Sequence, residues 1–227
     1  MNYYGQLSNE KITELSKELP NLIVDNVQSF FQQPVAHVLT IYNCRKFFGV
    51  ADGAYLYSDK TLETKLEIDS SYNRMDFLLG RFERTASEFY SKYAANNELF
   101  DDEPIKIMSP LTENILCSVD YEQIRTRRTE NFVYLHEKFK NINKLKLTIP
   151  TGAFAYPLYL ENGAEIRKEL QQEKIYIPTL WPDVFDVCKE NDLEYNYAKN
   201  ILPIPVDQRY GNEEMAYIVE RIKACIN

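Results

Sequence analysis

The sequence predicts an α/β protein: part of a mixed sheet with interleaved helices, followed by a helical stretch and a smaller α+β region. Three observations predict it. Leu22-Ile23-Val24 is a short continuous apolar run between Pro20 and Asp25, as a strand buried on both faces requires. Strand-like runs at 35–42 and 54–57 follow, each preceded by turn formers: Gln32-Gln33-Pro34, then the Gly49 to Gly53 segment. Beyond residue 150 extended and helical patterns alternate again.

Taken in order, Ser8 and Asn9 cap a helix over 8–19 that places Ile12, Leu15 and Leu19 on one face, and Pro20 ends it. The next strand leaves Asp25 at its carboxyl end, where ligands gather in open α/β sheets. Residues 72–96 carry Met75, Leu78, Leu79, Phe82, Phe89 and Tyr93 at helical spacing and predict a helix. The acidic segment 97–104 then reads as a loop, 109–119 as a shorter helix and 121–139 as a long amphipathic one. That last helix carries Ile124, Phe132 and Leu135, and its basic residues Arg125, Arg127 and Arg128 read as a solvated face or an ion-pair network. Residues 154–160 predict a strand with an edge or bulge at Pro157. A helix at 164–172, a strand at 175–180 and a helix at 194–199 follow, then an extended 201–206 and a closing helix over 212–224 with Glu213 and Glu214 in its first turn. The expected division is 1–120 and 121–227.

Composition bounds function. A chain of 227 residues can bury a sizeable core, and a net charge of −8 without a basic block argues against nucleic acid and anionic membranes as partners. No apolar run reaches membrane-spanning length, and no basic-then-apolar leader opens the sequence. Cys44, Cys117, Cys188 and Cys225 are dispersed without metal-pair spacing, which predicts free thiols and a cytoplasmic setting. His37 reads as a strand residue and His136 as one on an exposed helix face. Neither has a carboxylate at triad-like spacing, so both read as structural and no metal site is expected. The 17 tyrosines suit interfaces and sugar-like ligands.

The chemistry points to Lys46, set between a strand and a glycine-containing turn, with Asp25 twenty-one residues upstream. A lysine so placed can condense with the aldehyde of pyridoxal 5′-phosphate, while a carboxylate pairs with the protonated pyridine nitrogen. Burial and the adjacent Arg45 would lower the pKa of that amine. Each candidate has a plainer reading. Lys46 as a surface lysine, Asp25 as a strand-end cap for a helix after it and Gln28 as a structural amide all remain open. So do Asn73 as a helix cap and Arg209 as an ion pair with Asp207 or Glu213 rather than a reader of a substrate anion.

Three segments carry a resemblance to a known family: Asp25-Asn26-Val27-Gln28, the run Tyr42-Asn43-Cys44-Arg45-Lys46-Phe47-Phe48-Gly49-Val50, and Leu202-Pro203-Ile204-Pro205-Val206-Asp207-Gln208-Arg209-Tyr210 before an acidic helix start. In this order and separation they resemble the DegT/DnrJ/EryC1/StrS group of pyridoxal-phosphate aminotransferases. The resemblance implies the C-terminal part of a type I aspartate aminotransferase fold, with a large mixed-sheet domain leading into a small α+β domain. It implies that Lys46 holds the cofactor, that Asp25 faces its ring nitrogen and that Gln28 lies beside the ring near its phenolic oxygen. Asn73 falls near where the family presents an asparagine to the phosphate of a neighbouring subunit. The implied reaction moves an amino group from an amino acid, glutamate foremost, to a keto sugar nucleotide in amino-sugar or polysaccharide biosynthesis. The family is usually dimeric. Where it often has a serine five residues before its lysine, this chain has Ile41. Because family members are considerably longer, the glycine/threonine phosphate turn and the ring-stacking aromatic are expected from an N-terminal half, separate or upstream. Two non-enzymatic readings stand beside this one: an inactive remnant that self-associates, and a sugar-nucleotide-binding module.

Overall fold

The Ser8 hydroxyl oxygen accepts the Lys11 N–H at 3.3 Å and so starts helix α1, Asn9–Glu18, at the cap read from the sequence. The structure, a computed structural model, describes residues 1–226. The chain divides into two compact units: residues 1–2 with 8–120, and residues 3–7 with everything from Tyr121 onward.

In the first unit, strand β1 (Ile23–Asp25) runs parallel to β2 (Leu39–Asn43), and β3 (Ala54–Tyr57) pairs antiparallel with the far side of β2. The register sets Asp25 opposite Ile41 and Tyr42 opposite Tyr55. Strand β2 starts later than its apolar run because the chain turns first: Val38 N–H bonds to Val35 O at 3.1 Å and His37 takes a left-handed φ of 65°. His37 is therefore an exposed turn residue, paired with Asp59 at 2.6 Å, and not part of a strand.

The helix expected over 72–96 is broken. A 3-10 turn at Tyr72–Arg74 precedes α2 (Asp76–Glu83), and a second at Ala86–Phe89 precedes α3 (Tyr90–Asp102). Gly80 explains the break. A Cβ there would lie 2.1 Å from the Phe89 ring, so the missing side chain lets Phe89 fold back onto α2. Helix α3 also runs through the segment expected as an acidic loop, ending only at Asp102. Helix α4 (Pro110–Cys117) begins with Ser109 as cap, accepting the Thr112 N–H at 3.2 Å, and with Pro110 in its first turn.

The second unit opens with α5 (Tyr121–Phe139), followed by β4 (Ala155–Tyr159), α6 (Gly163–Gln172) and a short α7 (Val184–Val187). After these come α8 (Leu193–Asn200), β5 (Ile201–Pro205) and α9 (Asn212–Ile226). Strands β4 and β5 form an antiparallel ribbon in which Pro157 faces Pro203, tolerated because each strand is an edge. Phe132, Leu135 and Phe139 of α5, Leu158 of β4, Leu170 of α6, Leu202 of β5 and Met215 of α9 close one continuous core. Near residues 3–7, Tyr3 and Tyr4 meet Trp181 edge-on, with centroids at 4.7 and 6.0 Å.

Three expectations fail here. Residues 175–180 pair with no strand among the described residues; Ile177 is buried, but Pro178 lacks the N–H a ladder needs. Arg128 is not on a solvated face: it is 2% exposed and donates to Gln208 Oε1 at 2.8 Å and Ala153 O at 3.0 Å. His136 is half-buried against Phe132 and Tyr156 rather than exposed. No helix of the described residues is long and apolar enough to cross a membrane.

A candidate lysine site at the carboxyl edge of the sheet

Because β1 and β2 are parallel, both release the chain at the same edge of the sheet, the edge where α/β proteins build sites. Asp25 is the last residue of β1; Asn43 is the last of β2, and Lys46 follows three residues later. The ladder extends one step beyond Asp25, since Asn26 N–H donates to Ile41 O at 2.8 Å. Asp25 Oδ1 then accepts the Val27 N–H at 2.9 Å, a turn that fixes the orientation of the carboxylate. No helix among the described residues lies between β1 and β2, so Asp25 is not the helix cap expected of it but the acceptor of a tight local turn. Gln28, on the segment leaving β1, is buried.

The lysine turn is stiff. Asn43 Oδ1 accepts the Lys46 N–H at 3.2 Å, Cys44 O accepts from Phe47 and Phe48 at 3.1 and 2.9 Å, and Cys44 N–H donates to Gly53 O at 3.1 Å. Phe47 and Phe48, the two residues after Lys46, are buried and pack with Phe30, anchoring the turn on the carboxyl side of the lysine. Gly53 is required: its φ is +103°, and a Cβ would lie 2.9 Å from Thr112 Cγ2.

As a residue Lys46 is exposed, and partial burial of its amine lowers its pKa from the ordinary lysine value. The Asp25 carboxylate opposes that shift and Arg45 adds to it, and the net direction is down. The edge therefore holds an amine eased toward its neutral, nucleophilic form, with a carboxylate within electrostatic reach.

Below the turn, Asp52 is almost wholly buried and accepts the Ser109 N–H at 2.6 Å, the Ser109 hydroxyl at 2.9 Å and the Thr112 hydroxyl. Burial pushes its pKa up, but these bonds, with one from Ser71, outweigh burial and hold it below the ordinary carboxylate range. Burial, with Asp52 nearby, pushes the Cys44 thiol up to about 12.

The remaining candidates are placed differently. Asn73 is exposed in the 3-10 turn before α2 and is not a cap: Ser71 and Met75 occupy the two cap positions. Arg209 belongs to the second unit, where it forks onto Asp207 with Nε and Nη2 each 2.8 Å from a carboxylate oxygen. Its partner keeps its pKa high, and Asp207 is held low by the same pairing against the upward push of burial.

Sequence reasoning missed how α3 grips the turn. Asn96 Nδ2 donates to Ala51 O at 3.0 Å, Arg45 donates to Asn97 Oδ1, and the Arg45 guanidinium lies 4.4 Å from the centroid of Phe100. The signal was the Asn96-Asn97 pair, poor helix formers whose side chains are spent on the turn.

No family model matches the chain, and no curated protein matches it. Solved structures do. A DegT DnrJ EryC1 StrS aminotransferase from Brucella abortus is 13% identical with a TM-score of 0.59, over 98% of this chain and 62% of that one. DesV of S. venezuelae, solved in complex with a ketimine intermediate, is 12% identical with a TM-score of 0.58, over 98% and 63%. Spr1654 of Streptococcus pneumoniae, described as a sugar aminotransferase and solved in its PMP-form, is 13% identical with a TM-score of 0.57, over 99% and 67%. These likenesses show the fold: the chain has the mixed α/β fold of such aminotransferases over part of their length. It spans about 62–63% of the first two.

Proposed function

We propose that Lys46 holds pyridoxal 5′-phosphate in an aminotransferase that moves an amino group from an amino acid, glutamate foremost, to the keto carbon of a sugar nucleotide. One observation carries the reading: two parallel strands deliver Asp25 and a lysine of lowered pKa to a single sheet edge, in a fold shared with solved sugar aminotransferases. The residues fit the cofactor's chemistry, since an amine for its aldehyde and an acid for its ring nitrogen follow parallel strands to the same sheet edge. When bound, the cofactor supplies that aldehyde and an electron-withdrawing ring.

Asp25, oriented by the Val27 N–H, would hold the proton on the ring nitrogen. Lys46 would hold the cofactor through its amine and would serve as the base for the substrate Cα proton. Gln28, buried on the segment leaving β1, would lie beside the ring. Ile41 offers no hydroxyl to a phosphate; by the family resemblance the phosphate cradle and the stacking aromatic would come from further polypeptide, in the same protein or a second chain. Asn73, exposed in its 3-10 turn, would be the residue offered to the phosphate of a neighbouring subunit. The family resemblance supports a homodimer as the assembly. We assign Arg209 to the entrance of α9, because a donor carboxylate would have to displace Asp207 from its fork. Four free cysteines fit a cytoplasmic setting.

The solvent-exposed β3 favours a second reading, a protein that self-associates or binds sugar nucleotides without cofactor. Purified protein titrated with pyridoxal 5′-phosphate separates the two. The first reading predicts an imine absorbance that borohydride traps and Lys46→Ala abolishes. No adduct, with or without polypeptide completing the fold, rejects it, and sugar-nucleotide binding under those conditions supports the second.

A further inference from the structure

The peptide unit between Asp25 and Asn26 is held at both ends. Its N–H donates to Ile41 O of β2 at 2.8 Å, and its carbonyl accepts the Asn2 N–H, also at 2.8 Å. A peptide unit is planar, so holding its two polar ends sets that plane and restricts the direction in which the Asp25 side chain leaves the backbone. The Val27 N–H, 2.9 Å from Asp25 Oδ1, then sets the carboxylate about its own bonds. Of these three partners, Ile41 lies on the paired strand and Val27 within the turn itself. Asn2 comes from a separate segment, and its side chain accounts for its place there. Asn2 is fully buried in the first unit, and its Nδ2 donates to Asn26 Oδ1 at 3.0 Å and to Gln32 Oε1 at 2.6 Å, which spends both amide hydrogens. Gln32 also accepts the Ser29 hydroxyl at 2.8 Å and donates to Asn9 Oδ1 at 2.7 Å, at the first residue of α1. A line of amides therefore runs from α1 through Gln32 and Asn2 to the carboxyl end of β1.

We propose that Asn2 is a positioning residue for Asp25: its buried amide, bonded to Asn26 and braced by Gln32, keeps the Asn2 N–H on the Asp25 carbonyl and so fixes the carboxylate at the sheet edge. This role rests on Asp25 being the acid that meets the cofactor's ring nitrogen. Stability alone would not call for an asparagine here. An apolar side chain of similar size would fill the space and tolerate several placements, whereas an amide with two fixed acceptors admits one. An acid that keeps a ring nitrogen protonated has to stay within hydrogen-bond reach of it, so a turn free to drift would lose the contact. Lys46, on the turn after β2, acts electrostatically on the same carboxylate, while Asn2, Asn26 and Gln32 bring no charge of their own. The amides thus fix where the carboxylate stands without competing with the lysine for it.

The test reads the Asp25 carboxylate through the amide whose bond it accepts, and it needs no cofactor. As pH falls through the carboxylate range, protonation of Asp25 weakens the bond from Val27, so the Val27 amide signal in the magnetic resonance spectrum of isotope-labelled protein should shift. Asp25→Asn should abolish that shift, which identifies its source. Asn2→Leu, of similar size but without donors, should remove most of the shift, because the loosened carboxylate leaves Val27. Gln32→Leu takes away the other acceptor of the Asn2 amide while leaving Asn26 in place; it should lower stability and keep the greater part of the shift. Asn2→Ala, easier to accommodate, decides the matter if Asn2→Leu fails to fold. A full Val27 shift in an Asn2 variant whose fold is intact by circular dichroism overturns the proposal. So does an equal loss of the shift in Gln32→Leu, which would make Asn2 one more general support of the fold. Loss of the shift in Asn2→Leu, in a protein that forms no adduct with pyridoxal 5′-phosphate, would instead remove the functional reading and leave the link between Asn2 and Asp25 standing.

Discussion

The second unit buries Phe132, Tyr156, Leu158, Leu170, Leu202 and Met215 into one apolar core drawn from both strands and three helices. The first unit does something different around its candidate site. Its strand β3 is exposed along its whole length, and its buried side chains include Asn26, Gln28, Asp52, Ser71, Asn96, Ser109 and Thr112. The comparison separates two ways of fixing a backbone. Apolar packing is tolerant of small shifts, whereas a saturated polar network specifies one geometry and is costly when one member is lost. A turn that must hold a lysine amine beside a carboxylate needs the second kind.

The largest test of this contrast is Asp52→Ala. It leaves the Ser109 N–H and the Ser109 and Thr112 hydroxyls to seek other partners, and should cost about 4 kcal/mol in urea unfolding of the first unit. Leu158→Ala, in the other core, should cost about 3 kcal/mol through lost burial and a cavity. If Asp52→Ala proves milder than an exposed change, the polar-network account of the first unit breaks.

Acid should sharpen the same point. The folded pKa of Asp52 is depressed, so its stabilisation is fully present above the ordinary aspartate pKa of about 3.9 and is lost as pH falls through the lower folded value. Unfolding free energy measured from roughly pH 5 down to 2 should fall less steeply in Asp52→Asn than in the wild type. The smallest expected effect is Leu56→Ala on β3, 45% exposed, at about 0.5 kcal/mol or less by thermal melting. A larger loss would mean that β3 is covered in solution.

What the sequence made legible follows the range of the interactions involved. Ser8 as a cap, strand 54–57 and helix 121–139 are set by neighbours within a few residues and lie where local pattern puts them. The order of apolar runs also brought Asp25 and Lys46 to one edge, since parallel strands release their chains on the same side. Features set by distant partners were hidden. Phe89 closing on Gly80 broke a helix whose apolar spacing was regular. Asn97 stays helical because its amide meets Arg45, fifty-two residues away. Arg128 is buried because Gln208 and Ala153 satisfy it, which no charge pattern along α5 reveals.

The central claim concerns which amine reacts. Protein incubated with pyridoxal 5′-phosphate, reduced with borohydride and mapped by peptide mass spectrometry should carry the phosphopyridoxyl group on Lys46, and Asp25→Ala should reduce that label. A label spread over exposed lysines such as Lys11 and Lys144, with Lys46 modified no more than they are, would contradict the account.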